Sequence, residues 1–242
     1  SRHFAIHEYS LKAFRPHEAD ENFGNVMAMM PSQTTPASES DGLPGNTIAL
    51  LHFGRSGTGL MHSLIDSHPQ ISTLPSIYLG GYFNYGIWQE LAPGPAHQLP
   101  ERFAEKFAVL FDANSPNPVP GAMAEGLSMI GLSEGMTTVG DNRDEALFVD
   151  RDIFCAEAKR LMAGFNNIGP GLFLRIVHQA YEFALDNGAQ KETIFYHIHN
   201  PGIFSTFNFL SDMPDARLMM MVRDPVKSLE SWVREAARDN EY

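Results

Sequence analysis

Leu50-Leu51-His52-Phe53-Gly54-Arg55-Ser56-Gly57-Thr58-Gly59-Leu60-Met61 is an apolar run that enters a glycine-spaced turn and leaves it in the rhythm of a helix. The residues before Gly54 predict a buried strand over 47–53. Leu60, Met61, Leu64 and Ile65 recur at a spacing that puts them on one helical face, with Pro69 as the stop. Between the two, small residues let the backbone curl so that successive N–H groups point into one concavity, to which the helix adds the positive end of its dipole. The turn from Arg55 through Ser56, Gly57, Thr58 and Gly59 to Leu60 is therefore a candidate cradle for a phosphate-like anion.

What the turn lacks narrows the ligand. A nucleoside-triphosphatase loop closes on Gly-Lys-Ser/Thr, with the lysine on the outer phosphates and the hydroxyl on magnesium; here the corresponding end reads Thr58-Gly59-Leu60. The strong cation is Arg55 instead, whose guanidinium fork can grip two oxygens of an anion. The nucleophile elbow Gly-x-Ser-x-Gly fails on spacing, because Thr58 stands where its second glycine belongs. A lone glycine-rich turn is common by chance, so a second site has to carry part of the argument.

That site lies at 217–238. The run Arg217-Leu-Met-Met-Met-Val222 has the character of a buried strand, with its methionines as core filler, and Arg223-Asp224-Pro225 leads from it into a helix. Asp224 suits a helix cap and Pro225 the first helical position, where a missing N–H costs nothing. Ser231 follows Asp224 by about two helical turns, so its hydroxyl returns to the face from which Arg223 emerges and the pair can hold a second phosphate. Between the two motifs the pattern predicts helices at 101–111, 150–164 and 171–186, a proline-rich loop at 114–121, a strand at 193–198 and a helix at 202–211. Residues 1–46 read as polar and irregular toward their end, with an exposed loop at 31–42. Alternating strands and helices imply a three-layer α/β fold of the P-loop nucleotide-binding type. Its mostly parallel sheet is flanked by helices, and the ligand sits at the carboxyl ends of the strands.

The two motifs together resemble the sulfotransferases that use 3′-phosphoadenosine 5′-phosphosulfate. Arg55-Ser56-Gly57-Thr58, with a helix running to His68-Pro69, is similar to the first motif of that family and looks most like its protein-tyrosine and bacterial branches. Arg223-Asp224-Pro225 with Ser231 is similar to the second. The resemblance implies that Arg55, Ser56, Gly57, Thr58, Gly59 and Leu60 hold the 5′-phosphosulfate and that Arg223 and Ser231 hold the 3′-phosphate. It also implies that no metal is required, since a guanidinium and backbone donors can stabilise the leaving phosphate. Thr193-Ile-Phe-Tyr-His-Ile-His199-Asn200-Pro201 places His199 like the catalytic histidine of cytosolic members, whereas Ser72 to Ser76 stand where the protein-tyrosine branch carries its glutamate base. The residue pattern alone reads His199 equally well as a strand-end histidine bonded to a neighbouring carbonyl. The resemblance further implies one domain over 1–242, with more helices beyond Tyr242.

Composition bounds the partners. A chain of 242 residues with 43% apolar content can bury a core without disulfides, and its formal charge of −12 disfavours nucleic acid and other polyanions, leaving a small hydroxylated or phenolic acceptor. The single cysteine, Cys155, points to a reducing, cytoplasmic setting. The longest apolar runs fall far short of the ~20 residues that span a bilayer. Tyr78, Tyr82, Phe83, Tyr85 and Trp88 read as either an acceptor pocket or core packing, with packing favoured for any one of them. His52 reads as a buried, neutral, hydrogen-bonded imidazole, and His62 and His68 as solvated. Asp141, Asp144 and Glu145 read as a solvated face that could hold a cationic acceptor. Two rival functions remain at this level, a magnesium-dependent nucleotide kinase and a catalytically silent nucleotide-binding relative. Oligomeric state is not legible.

Overall fold

A computed structural model describes residues 8–9, 42–75, 79, 81–83, 85–115, 136–186 and 190–239. Most of the segment expected to be irregular, Tyr78, most of the proline-rich loop and all of the loop at 31–42 but Gly42 lie outside them. In chain order the strands are β1 (Glu8–Tyr9), β2 (Asn46–His52), β3 (Ile71–Thr73), β4 (Thr193–His199) and β5 (Arg217–Met220). The helices are α1 (Thr58–Ile65), α2 (Tyr85–Leu91), α3 (Leu99–Lys106), α4 (Arg151–Met162), α5 (Pro170–Ala184), α6 (Ile203–Asp212) and α7 (Pro225–Asp239).

The sheet runs β1-β5-β2-β4-β3. Four of its strands, β5, β2, β4 and β3, are parallel, and the two-residue β1 joins antiparallel at the β5 edge. Strand β2 sits in the middle because Ile48 to Leu51 is apolar without alternation, as a strand covered on both faces must be. Register pairs Leu50 with His197 and His52 with His199, and in a parallel pair such partners share a face. Neighbouring residues of β3 show the two faces directly. Ser72 Oγ bonds His178 Nδ1 on α5 at 2.9 Å, while Thr73 Oγ1 donates to Asp66 Oδ1, at the end of α1, at 2.8 Å. On β4 the ring of Tyr196 stacks on Phe209 of α6, and His197 reaches His62 of α1. The chain is thus a three-layer α/β fold with α1 on one face and α5 and α6 on the other.

The core lies mainly under α4, α5 and α6. Tyr82, Phe103, Phe107, Phe111, Phe154 and Phe173 are fully buried there and meet edge to face or tilted, the arrangements that ring quadrupoles favour. Among the described side chains of the aromatic stretch the core-packing reading holds: Tyr82 and Phe83 are buried, and Trp88 meets Tyr82 edge to face.

Several expectations are corrected. Helix α1 stops at Ile65, short of Pro69, because Asp66 leaves helical dihedrals at ψ 143° and Ser67 then turns into the left-handed region at φ 63°. The single helix expected over 101–111 is α3 followed by a 3-10 turn at Ala108–Leu110, divided where Phe107 leaves helical dihedrals. Strand β5 ends at Met220, and Met220 and Val222 are exposed, so this segment is not a buried strand and its methionines are not all core filler. Among the described residues, the strand paired with its outer edge is the two-residue β1. Glu8–Tyr9 is strand within a segment read as irregular.

Candidate functional site

The turn after β2 curls as its sequence requires. Arg55 (φ 63°) and Gly57 (φ 92°) both adopt left-handed backbone, which costs a non-glycine residue such as Arg55 about 1 kcal/mol. Ser56 Oγ donates to Phe53 O at 2.7 Å and braces the curl from inside. The N–H of Met61 bonds back to Gly57 O at 3.2 Å, so the first-turn N–H groups before it have no partner within the helix and face the mouth of the turn. A side chain added at Gly59 would meet nothing within 4 Å, whereas one at Gly57 would touch Met221. The cradle is open above Gly59.

The second motif closes onto the first. Arg223 Nη1 donates to Arg55 O at 2.8 Å, joining residues 168 positions apart in the chain. Asp224 caps α7 as expected, its Oδ1 accepting from the N–H groups of Val226 and Lys227. Ser231 is half-buried on α7, and no hydrogen bond among the described residues joins it to Arg223. Its neighbour Trp232 borders the same cleft as Gly54, Arg55, Thr58 and Gly59. Leu60 turns its side chain to solvent, which leaves only its backbone for a ligand.

His199 ends β4 beside the cradle: a Cβ on Gly54 would lie 4.0 Å from its Nε2, and its ring stacks on His52 with centroids 4.9 Å apart. Sequence reasoning found this histidine but missed the group around it. His62, expected to be solvated, is half-buried and hydrogen-bonded. Its Nδ1 lies 2.9 Å from His197 Nε2, and His197 Nδ1 lies 3.1 Å from His52 Nε2. His52 is buried and hydrogen-bonded, as read. Burial and the neighbouring His199 push its imidazole down to about 4, opposed by the Phe53 main chain; burial, together with the other three imidazoles, pushes His197 down to about 3. The missed signal was periodicity. His197 and His199 are two apart on a strand, and His62 is one turn beyond Thr58 on a helix, so all three face the loop.

The cleft measures about 1070 Å³ and runs from Arg55 and Trp232, past the histidines, to Asp66, Glu182 and Lys191. At that end Lys191 Nζ donates to His68 O at 2.8 Å and stands 3.9 Å from Glu182 Oε2, both side chains buried. Asp141, Asp144 and Glu145 are exposed on a turn. Cys155 is buried, and burial pushes its thiol up to about 11. No helix among the described residues is long and apolar enough to cross a membrane. Comparison with protein-family models, with curated proteins and with solved structures finds nothing that this chain matches.

Proposed function

We propose that the chain is a sulfotransferase, moving the sulfuryl group of 3′-phosphoadenosine 5′-phosphosulfate to a hydroxyl of a small acceptor. The observation that carries the reading is the bond between Arg223 and Arg55 O, because it joins the two motifs whose pairing the reading requires. The open cradle over Gly59 fits a bulky anion on backbone donors, and the cation at hand is the arginine of the turn.

In this reading Arg55 and the first-turn N–H groups hold the 5′-phosphosulfate and stabilise charge gathering on the leaving oxygen. Arg223 and Ser231 hold the 3′-phosphate, with Arg223 also bracing the loop. The donor supplies the sulfuryl group: a bond forms from acceptor oxygen to sulfur, and the bond from sulfur to the phosphate oxygen breaks with its electron pair left on phosphate. His199 takes the acceptor's proton as that bond forms.

Calorimetry with adenosine 3′,5′-bisphosphate, set against ATP with magnesium, tests the reading. Binding of the bisphosphate without metal is expected, and preference for magnesium–ATP would reject it in favour of a kinase. Arg55→Ala should lower donor-dependent sulfation by roughly a hundredfold or more. Arg223→Ala should weaken the bisphosphate more than adenosine 5′-phosphate. Equal losses would reduce Arg223 to a brace.

A further inference from the structure

We infer that the deep end of the cleft is a head-group site for a zwitterion, a carboxylate and an ammonium carried close together as in a free amino acid, with Lys191 taking the carboxylate and Asp66 the ammonium. As a binding site this rests on geometry; as the place that holds the sulfate acceptor it rests on the sulfotransferase reading.

An alkylammonium carries three N–H donors and is strongly hydrated, so a lysine is seldom buried unless those donors are met. Lys191 is only 6% exposed, and among the described residues it uses one donor, on His68 O at 2.8 Å. Glu182 Oε2, at 3.9 Å, balances its charge but lies beyond hydrogen-bond reach. The remaining N–H donors sit on a buried side chain that lines the cleft. They call for a ligand oxygen.

The second carboxylate of this end decides what else the ligand carries. Asp66 follows the last residue of α1 and lines the cleft with Lys191 and Glu182; Thr73 Oγ1 donates to its Oδ1 at 2.8 Å, which fixes the carboxylate and leaves Oδ2 to accept from a ligand. Two carboxylates thus stand against one ammonium. A purely anionic head would be repelled by the pair, and a purely cationic head would leave the donors of Lys191 unmet. A head with both charges meets each side with its opposite. The same end has apolar walls, Ile71, Leu147 and Leu185, suited to the body of a small organic molecule. His62 and Asp66 are four residues apart along α1, a rise of about 6 Å, so a hydroxyl beside the imidazoles and an ammonium on Asp66 are separated on the scale of an aromatic ring with a short arm.

Calorimetry with and without adenosine 3′,5′-bisphosphate compares phenols that differ in the head alone: free tyrosine, tyramine without the carboxylate, phloretate without the ammonium, and para-ethylphenol with neither. Tyrosine is expected to bind roughly tenfold or more tightly than each of the others. Lys191→Met should bring tyrosine to the level of tyramine. Asp66→Asn, at an exposed position where the amide oxygen can still accept from Thr73, should bring it to the level of phloretate and carries the test should Lys191→Met fail to fold. No binding of tyrosine, equal binding of any of the other phenols, or tyrosine affinity unchanged in Asp66→Asn overturns the inference; so does tight binding of N-acetyltyrosine amide, whose uncharged head would make a peptide the occupant. Sulfation with donor present then separates site from reaction. The expected order of heads in a protein that transfers no sulfuryl group upholds the site and overturns the proposed reaction, whereas transfer to para-ethylphenol as fast as to tyrosine upholds the reaction and overturns the site.

Discussion

The face of the sheet under α4, α5 and α6 is filled by aromatic rings, and its buried histidine, His178, is paired with a buried serine and has no route to solvent. The face toward α1 holds the anion turn, the imidazole chain and an open cleft, and α1 contributes no fully buried residue at all. Leu60 and Leu64 of α1, and Leu229 and Val233 of the cleft-bordering α7, lie mostly exposed. Packing has gone to one side and chemistry to the other. A cleft needs walls that are not closed by side chains, so the face that recognises a ligand gives up burial, and at ~25 cal/mol per Å² that forfeits stability the other face must supply.

The contrast can be broken by acid. His52 and His197 in the cleft and His178 in the core are held to about 4, about 3 and about 3, below the value of an unfolded histidine. The unfolded chain therefore binds protons first, and stability that is full above pH 6.5 is lost as pH falls toward 4. At pH 5 each such imidazole costs about 2 kcal/mol, on the order of 5 kcal/mol for the three. Asp212, raised by burial to about 6, acts in the opposite sense, but it is an exposed residue and offsets little. Urea unfolding at pH 7 and pH 5 measures the loss; a His178→Leu variant that shows no residual pH dependence would take the cleft face out of it.

Phe103 sharpens the comparison from the core side. Its ring touches Tyr82, Phe107, Phe111, Phe154 and Phe173, and Phe103→Ala should cost about 4 kcal/mol in denaturant unfolding, leaving bisphosphate affinity of the folded protein intact. A glycine from each face makes the finest test. A Cβ on Gly171 of α5 would clash with Asp212 O and meet Met213 Sδ at 2.9 Å, so Gly171→Ala should destabilise by about 2 kcal/mol through the α5–α6 contact. Gly59→Ala has open space and should leave the melting midpoint unchanged while narrowing the cradle, read as weaker anion binding by calorimetry.

Strands β2 and β4 were legible because each holds a short apolar run without helical spacing, Ile48 to Leu51 and Ile194 to Tyr196, and α7 because Asp224-Pro225 is both cap and first-turn residue. Strand β3 was not: Ile71-Ser72-Thr73 is three residues long, below any period, and its place is fixed by pairing with β4 and by bonds to two helices. Helix α2 hid among glycines and aromatics that equally suit a pocket lining. For the site, Arg55 and Arg223 could be read locally, since each sits at a strand end before a helix. The imidazole chain could not be, because it needs the register that sets Leu50 beside His197, and that register belongs to the assembled sheet.

The tie between Arg223 and the carbonyl of Arg55 also has a meaning in time. The anion turn is written early in the chain, yet the group that braces it arrives 168 residues later, after β4 and β5 have found their places beside β2. Emerging from a ribosome, the protein would carry the outline of its cradle for most of its synthesis without the brace, and competence to hold an anion would come late and all at once, when the most distant contact of the site is made.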